Sequence, residues 1–238
     1  MDAPLQVIEQ QGVREQFKMI KAALFDMDGL LIDSMPLWKE AIKRAVLGAG
    51  STFTEEMWDA SKGGRIDEII DYWHDLAPWK ERSVSSVQND VMENVLELIE
   101  GKGKLMEGVG HIIEYVEKKK VKKALASSSP QRIMDAVVAK LGLEDFFDLV
   151  YSADHVEYGK PHPAVYIKAA EKLGVPPYSC LVFEDSLVGL IAAKAARMKC
   201  VAVPGADYRN DQRMILADKV IPSLSVFGDA DWELISRL

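Results

Sequence analysis

Cysteine is scarce in this chain: Cys180 and Cys200 are the 2 present. They flank or enter apolar runs and offer no disulfide framework, so reduced, buried thiols are expected. Histidine is nearly as rare, at 4 residues, and none is patterned with a serine or a cysteine. With no Gly-x-Ser-x-Gly either, serine or cysteine hydrolysis fits poorly. No apolar run is long enough to cross a bilayer. Positive charge is in deficit, with a formal net charge of −8, which argues against a nucleic-acid surface. The dense basic run, Lys118-Lys119-Lys120 with Lys122 and Lys123, falls where a helix is expected to end, and cations there suit the helix dipole. The first residues carry acidic side chains and no apolar segment of the secretory kind, so a cytoplasmic location is expected. There is no internal repeat and no low-complexity segment.

What the chain does have is a short apolar run, Ala22-Ala23-Leu24-Phe25, that ends abruptly in Asp26-Met27-Asp28-Gly29. Short apolar runs bounded by breakers read as buried strands, and ligands of open α/β sheets bind at the carboxyl ends of strands. Gly29 lets the chain turn sharply behind the two carboxylates. By itself, Asp-x-Asp-Gly is more often a polar turn closing a strand, and the rest of the chain reverses that reading.

The 238 residues and 48% hydrophobic content suit one large domain, or a domain carrying a smaller one. Residues 1–19 show little pattern and read as a loose N-terminal extension. Helical spacing then predicts four helices. They run from Leu37 to Gly48, from about Thr54, over Ile66 to Trp73, and over Val84 to Ile99 before Gly101 and Gly103. Trp58, Trp73 and Trp79 read as the core of this helical unit.

After Met106 the pattern alternates. Helices are expected over Val109 to Lys119, Gln131 to Leu141, Pro163 to Leu173 and Leu187 to Ala196. Strands are expected at Ile20 to Phe25, Ala124 to Ala126, Leu149 to Ser152, Leu181 to Phe183, Cys200 to Val203 and Val220 to Ile221. Helices between successive strands predict an α/β fold, a doubly wound parallel Rossmann-like sheet. Residues 20–34 and 105–238 would form that core, and 35–104 a small inserted helical cap.

Three expected strand ends carry polar groups: Asp26/Asp28, Ser127/Ser128/Ser129 and Glu184/Asp185. A parallel sheet places them on one edge. Carboxylates ~4 Å apart at an effective dielectric near 20 repel by on the order of 4 kcal/mol per pair. Some are therefore protonated or a cation sits among them, and hard oxygen ligands suit Mg²⁺. The plainer role for Glu184 and Asp185 is to cap the next helix, although Ser186 is also placed to do so. Serine hydroxyls with free backbone amides at a helix start bind phosphate. Lys160, held in Gly159-Lys160-Pro161-His162-Pro163, can reach such a cleft and neutralise a phosphoryl group, whereas His162 reads as a turn residue. Together these parts describe phosphoryl transfer with a carboxylate nucleophile, a second carboxylate as general acid/base, a divalent metal and cationic clamps.

These four motifs, in this order, resemble the haloacid dehalogenase superfamily of aspartyl-phosphate phosphatases, in its β-phosphoglucomutase-like branch with a helical cap. The resemblance covers about residues 20–225. It implies that Asp26 attacks phosphorus and that Asp28 protonates the leaving group, then activates water. Ser127 and Lys160 would hold phosphoryl oxygens, helped by backbone amides near Met27 and Ser128. Asp26, the Asp28 carbonyl, Glu184 and Asp185 would hold Mg²⁺, and the cap would hinge near Ser34–Met35 and Lys104–Met106.

Within the branch, Asp33-Ser34-Met35-Pro36-Leu37-Trp38 and the Gly64-Arg65-Ile66-Asp67 turn resemble phosphatases of 2-deoxyglucose 6-phosphate and hexitol phosphates. Lys62 and Arg65 match the branch's substrate-specificity loop and are expected to touch substrate. Trp38 stands where mutases of the branch carry a histidine, and Met35 where the phosphatases usually carry Glu. The expected activity is hydrolysis of small phosphorylated metabolites by a monomer, with no nucleic-acid or membrane partner. A phosphomutase, a pyrophosphatase and a non-catalytic phosphometabolite sensor remain as alternatives.

Overall fold

The computed structural model describes residues 19–238. The N-terminal extension expected over 1–19 thus lies outside the described residues, except for the exposed Met19. Six strands form one sheet: β1 (Ala22–Phe25), β2 (Lys122–Ser127), β3 (Leu149–Ser152), β4 (Cys180–Glu184), β5 (Lys199–Ala202) and β6 (Lys219–Val220). Their order is β3-β2-β1-β4-β5-β6, and every pairing is parallel. After β3 the chain returns across β1 to lay down β4 on its other side. The crevice at the carboxyl end of β1 is therefore the switch point where α/β sheets bind ligands.

The helices are α1 (Met35–Gly48), α2 (Glu55–Ser61), α3 (Ile66–Leu76), α4 (Val84–Lys102), α5 (Val109–Lys119), α6 (Gln131–Leu141), α7 (Ala164–Leu173), α8 (Leu187–Ala195) and α9 (Asp229–Ser236). All four residues of β1 are buried, because a parallel sheet is covered on both faces. Ala23 and Phe25 point into the larger core with Val109, Ile112, Ile133 and Ile235 from α5, α6 and α9. Ala22 and Leu24 point the other way, to Val165, Tyr166, Leu187 and Leu190 from α7 and α8. The alternation of period two along a single strand thus produces the double winding. Phe25 stacks on Phe183 of the neighbouring strand, with ring centroids 5.0 Å apart.

α1 to α4 lie between β1 and β2 without a strand among them, and α1 packs mainly on α4 through Ile42, Ala45 and Val46 against Val87, Val91 and Val95. Trp58, Trp73 and Trp79 are buried. Two backbone passages join this helical insert to the sheet, and they pair with each other: Asp33 N–H donates to Lys104 O at 2.9 Å and Met106 N–H to Leu31 O at 2.9 Å. No helix among the described residues is long and apolar enough to cross a membrane.

Two local readings change. Lys122 and Lys123 do not prolong the basic helix end. Lys120 adopts a left-handed backbone at φ 55 that stops α5, and the two lysines open β2, paired with Ala22 and Ala23. Sheet pairing here outweighs the low strand preference of lysine. α9, short and without a strong apolar stripe, was not anticipated. It is fixed by Ile235 in the core and by Trp232 against it.

Candidate active site

The register of the sheet assembles the site. Phe25 is level with Leu125 and Phe183, so Asp26 leaves its strand level with Ala126 and Glu184, one residue short of Ser127. The Asp26 amide continues the ladder for one more bond, donating to Phe183 O at 3.0 Å. All four motif regions then meet in one cavity of about 430 Å³ lined by Asp26, Asp28, Ser127, Ser128, Lys160 and Asp185, and roofed by residues of the helical insert.

Lys160 is the cation at its floor. Its Nζ donates to Asp26 Oδ1 at 2.6 Å, Glu184 Oε1 at 2.7 Å and the Tyr166 hydroxyl at 2.8 Å. The Tyr166 hydroxyl in turn donates to Glu184 Oε1 at 2.7 Å. Burial works against the lysine's charge, but Asp26 and Glu184 outweigh it and hold the ammonium above its ordinary range. The other oxygen of Glu184 accepts from the amides of Asp185 and Ser186, both at 3.0 Å, and from the Ser186 hydroxyl at 3.1 Å. Ser186 itself caps α8, its hydroxyl accepting from Gly189 N–H at 3.1 Å. Glu184 therefore both secures the start of α8 and anchors Lys160. Its carboxylate lies so close to the helix that a Cβ at Gly189 would stand 1.6 Å from Oε1.

Asp185 differs. It is buried, yet its carboxylate accepts no hydrogen bond among the described residues. Burial, followed by the charges of Glu184 and Asp26, pushes its carboxyl well above the usual range. Burial also pushes Asp26 up to about 7, against the pull of Lys160 and with the help of Glu184 and Asp28. One ammonium does not balance three carboxylates. An oxygen atom from each of Asp26, Glu184 and Asp185 lies within 4.8 Å of the others. This crowded, partly orphaned oxygen set is what a hard divalent cation requires. Gly29 makes room for it: at φ +80 it places no atom where a Cβ would come within 2.3 Å of Asp185 Oδ2.

Asp28 has a separate environment, ringed by donors. Ser34 Oγ and Trp38 Nε1 donate to Oδ1 at 2.6 and 2.8 Å, and Ser129 Oγ and Ser127 Oγ donate to Oδ2 at 2.5 and 3.4 Å. Trp38 belongs to α1, so the helical insert itself orients this carboxylate. The Ser128 hydroxyl is buried without a partner among the described residues. The backbone N–H groups of Met27, Asp28 and Ser128 also find no acceptor among them. Unpaired donors around a cavity with a buried lysine suit an anion with several oxygens.

The two loop cations of the insert go to different places. Lys62 lines the cavity and pairs with Asp59 and Asp207, both at 2.8 Å. Arg65 does not line it. The guanidinium is held by Asp67 at 2.7 Å and donates to the Val156 carbonyl at 3.0 Å, tying the insert to the loop before Lys160. His162 is exposed, its Nδ1 accepting from Ala164 N–H at 3.3 Å. Met35 adds an apolar wall to the cavity. Reading the sequence overlooked Tyr166 and Asp207; it placed Ser129 among phosphate-binding hydroxyls and Ser34 at the hinge, whereas both donate to Asp28. Tyr166 alone left a usable signal, a hydroxyl within the otherwise apolar stripe Val165, Ala169, Ala170 and Leu173.

Comparison with known proteins gives a consistent picture. Residues 20–197 match the model of the haloacid dehalogenase-like hydrolases. The chain is 40% identical over 210 residues to hexitol phosphatase B of Escherichia coli (strain K12), covering 87% of this chain and 94% of that one. It is 35% identical over 177 residues to a phosphorylated carbohydrates phosphatase of Thermotoga maritima, covering 74% and 82%. Among solved structures, CbbY from Rhodobacter sphaeroides in complex with phosphate superposes with a TM-score of 0.82 at 26% identity, covering 90% of this chain and 100% of that one.

Proposed function

Since this chain belongs to the haloacid dehalogenase-like hydrolases, we propose that it hydrolyses the phosphate monoesters of sugars or polyols through an aspartyl-phosphate formed on Asp26. The observation that carries this reading is the meeting of Asp26, Asp28, Lys160 and the unpaired donors near Ser128 around one cavity. The named activities of the phosphatases of Escherichia coli and Thermotoga maritima support the substrate class.

Asp26 is the nucleophile. Lys160 favours its charged form against the effect of burial and fixes Oδ1, while Oδ2 accepts no hydrogen bond among the described residues. A phosphoryl group approaching it meets the amides of Met27 and Ser128 and the hydroxyls of Ser127 and Ser128, which stabilise charge on the equatorial oxygens. Asp28 delivers a proton to the departing sugar oxygen and later takes one from the water that attacks phosphorus. Ser34, Trp38 and Ser129 hold it in place for both steps. The oxygen set fits Mg²⁺, which Asp26, Glu184, Asp185 and the Asp28 backbone carbonyl would hold. When bound, that ion neutralises the carboxylates and polarises the phosphoryl oxygens. Residues 35–104 act as a cap, which excludes bulk water when closed.

Asp26→Asn tests the assignment. The variant should stay folded, because Asn fills the same space, and should release no phosphate from sorbitol 6-phosphate or 2-deoxyglucose 6-phosphate. Phosphate release at the wild-type rate would overturn the nucleophile. A phosphomutase would instead isomerise a hexose 1-phosphate without releasing phosphate.

A further inference from the structure

The cavity has two chemically different ends. The strand-tip end holds the carboxylate cluster and Lys160. The far end is enclosed by the helical insert and by the loop that follows β5, and its charges are arranged otherwise. Lys62, immediately after α2, sends Nζ across to Asp207 Oδ2 at 2.8 Å, and Asp59 Oδ1 holds the same nitrogen at 2.8 Å. Lys62 is mostly buried, with 16% of its side chain exposed. Asp207 follows Gly205, whose N–H donates to the Asp185 backbone carbonyl at 3.1 Å. The core partner of the pair is therefore braced on the catalytic end. The pair joins insert to core and closes only when the two are together.

Lys62 thus enters the cavity already neutralised by two carboxylates. Asp33 and Glu107 line the cavity as well, exposed at its edge, and make no ion pair among the described residues. Arg209, exposed at the rim, is the remaining cation there among the described residues. Away from the carboxylate cluster, the charged groups that line the cavity are acidic in balance.

We propose that the Lys62–Asp207 pair is a specificity filter: it admits phosphate esters whose far end is a neutral, hydroxyl-rich chain and rejects those carrying a second anion. This inference rests on the reading of the site as a sugar or polyol phosphatase. Hydroxyls donate to carboxylates and accept from an ammonium, so they join the pair without breaking it. A terminal carboxylate or second phosphate must displace Asp207 from Lys62 or stand beside unbalanced carboxylates, and either course is repulsive.

Sorbitol 6-phosphate and 6-phosphogluconate provide the test, because they differ only in a terminal hydroxymethyl group against a carboxylate. The wild-type kcat/KM should favour sorbitol 6-phosphate by about ten-fold or more. Asp207→Asn, or Asp207→Ser should the first fold poorly, removes one of the two carboxylates that neutralise Lys62 and leaves it paired with Asp59 alone. Either should narrow that ratio about five-fold, the size of one solvent-screened charge contact. Adding Lys62→Gln to Asp207→Asn restores the formal charge of the wild type and should return the ratio to within about two-fold of it. Equal wild-type use of the two esters, or a ratio unmoved by Asp207→Asn while sorbitol 6-phosphate is hydrolysed, overturns the filter alone. No phosphate release from either ester by the wild type overturns the proposed activity and the filter with it.

Discussion

Consider heating the protein in EDTA at a series of pH values. Asp26 titrates at about 7 in the folded chain against an ordinary 3.8. Between those values the folded state keeps a proton that the unfolded chain has released. Stability contributed by this group is therefore present at low pH, falls as pH rises through the window, and is fully lost above about pH 7. Each pH unit inside the window is worth about 1.4 kcal/mol, so about two units, from pH 5 to 7, cost on the order of 3 kcal/mol. Asp26 is 6% exposed, so solvent screening removes little of this. Repulsion adds to the burial that dominates the shift: charges within 4.8 Å of one another at an effective dielectric near 20 repel by about 3 kcal/mol or more. Asp185 moves in the same direction.

A divalent cation reverses the penalty by binding the ionised carboxylates. Saturation at about 100 times Kd contributes about 2.7 kcal/mol, and a chain of this size gains roughly 2–4 °C per kcal/mol. The rise in Tm produced by Mg²⁺ should therefore be several degrees at about pH 8 and much smaller at about pH 5, where Asp26 is protonated and competes poorly for the ion. Differential scanning calorimetry with EDTA or Mg²⁺ at the two pH values measures it, and no turnover is involved. In Asp26→Asn the difference between the two gains should shrink. Equal gains at both pH values in the wild type, or none at the higher one, would refute the account of the carboxylate cluster.

Trp38→Phe keeps an aromatic ring but removes the N–H that donates to Asp28 at 2.8 Å. A hydrogen bond to a charged group is worth about 1.5–3 kcal/mol, so kcat should fall at least about ten-fold, alongside a drop in Tm from the smaller buried ring; an unchanged kcat would mean that the indole does not orient Asp28. Tyr166→Phe deletes the hydroxyl bonded to both Glu184 and Lys160. Urea unfolding should show a loss of about 1–3 kcal/mol, and identical curves would contradict a supporting role. Gly29→Ala meets both the φ of +80 and the Asp185 oxygen 2.3 Å from the new Cβ. Strain of about 1–2 kcal/mol, added to the clash, should cost most of the activity and weaken Mg²⁺ stabilisation; a fully active variant would show that the loop yields freely.

The division between what the sequence disclosed and what it hid follows from where each residue gets its position. Asp26, Ser127, Glu184 and Asp185 end apolar runs, and a parallel sheet with its ladder in register can only carry such ends to one edge. Their chemistry and their placement were therefore written together. Lys160 was legible for a similar reason, since breakers on both sides leave it no helix or strand to join.

Contacts made across the chain are another matter. Lys62 and Arg65 are three residues apart in a single turn and carry the same charge, yet one lines the cavity and the other is bound to carbonyls of the core. No local pattern separates them. The outcome depends on Asp207, reached from Lys62 across 145 positions of sequence, and on Val156, 91 from Arg65. Trp38 makes the same point from α1: the sequence places it where mutases of the branch carry a histidine, but its N–H acquires a role only because the insert folds back over Asp28. Phosphate chemistry lies in the part of the molecule that one strand and its neighbours determine. On the proposal made above, selection of the rest of the substrate lies in contacts that exist only after insert and sheet have met, such as Lys62 with Asp207.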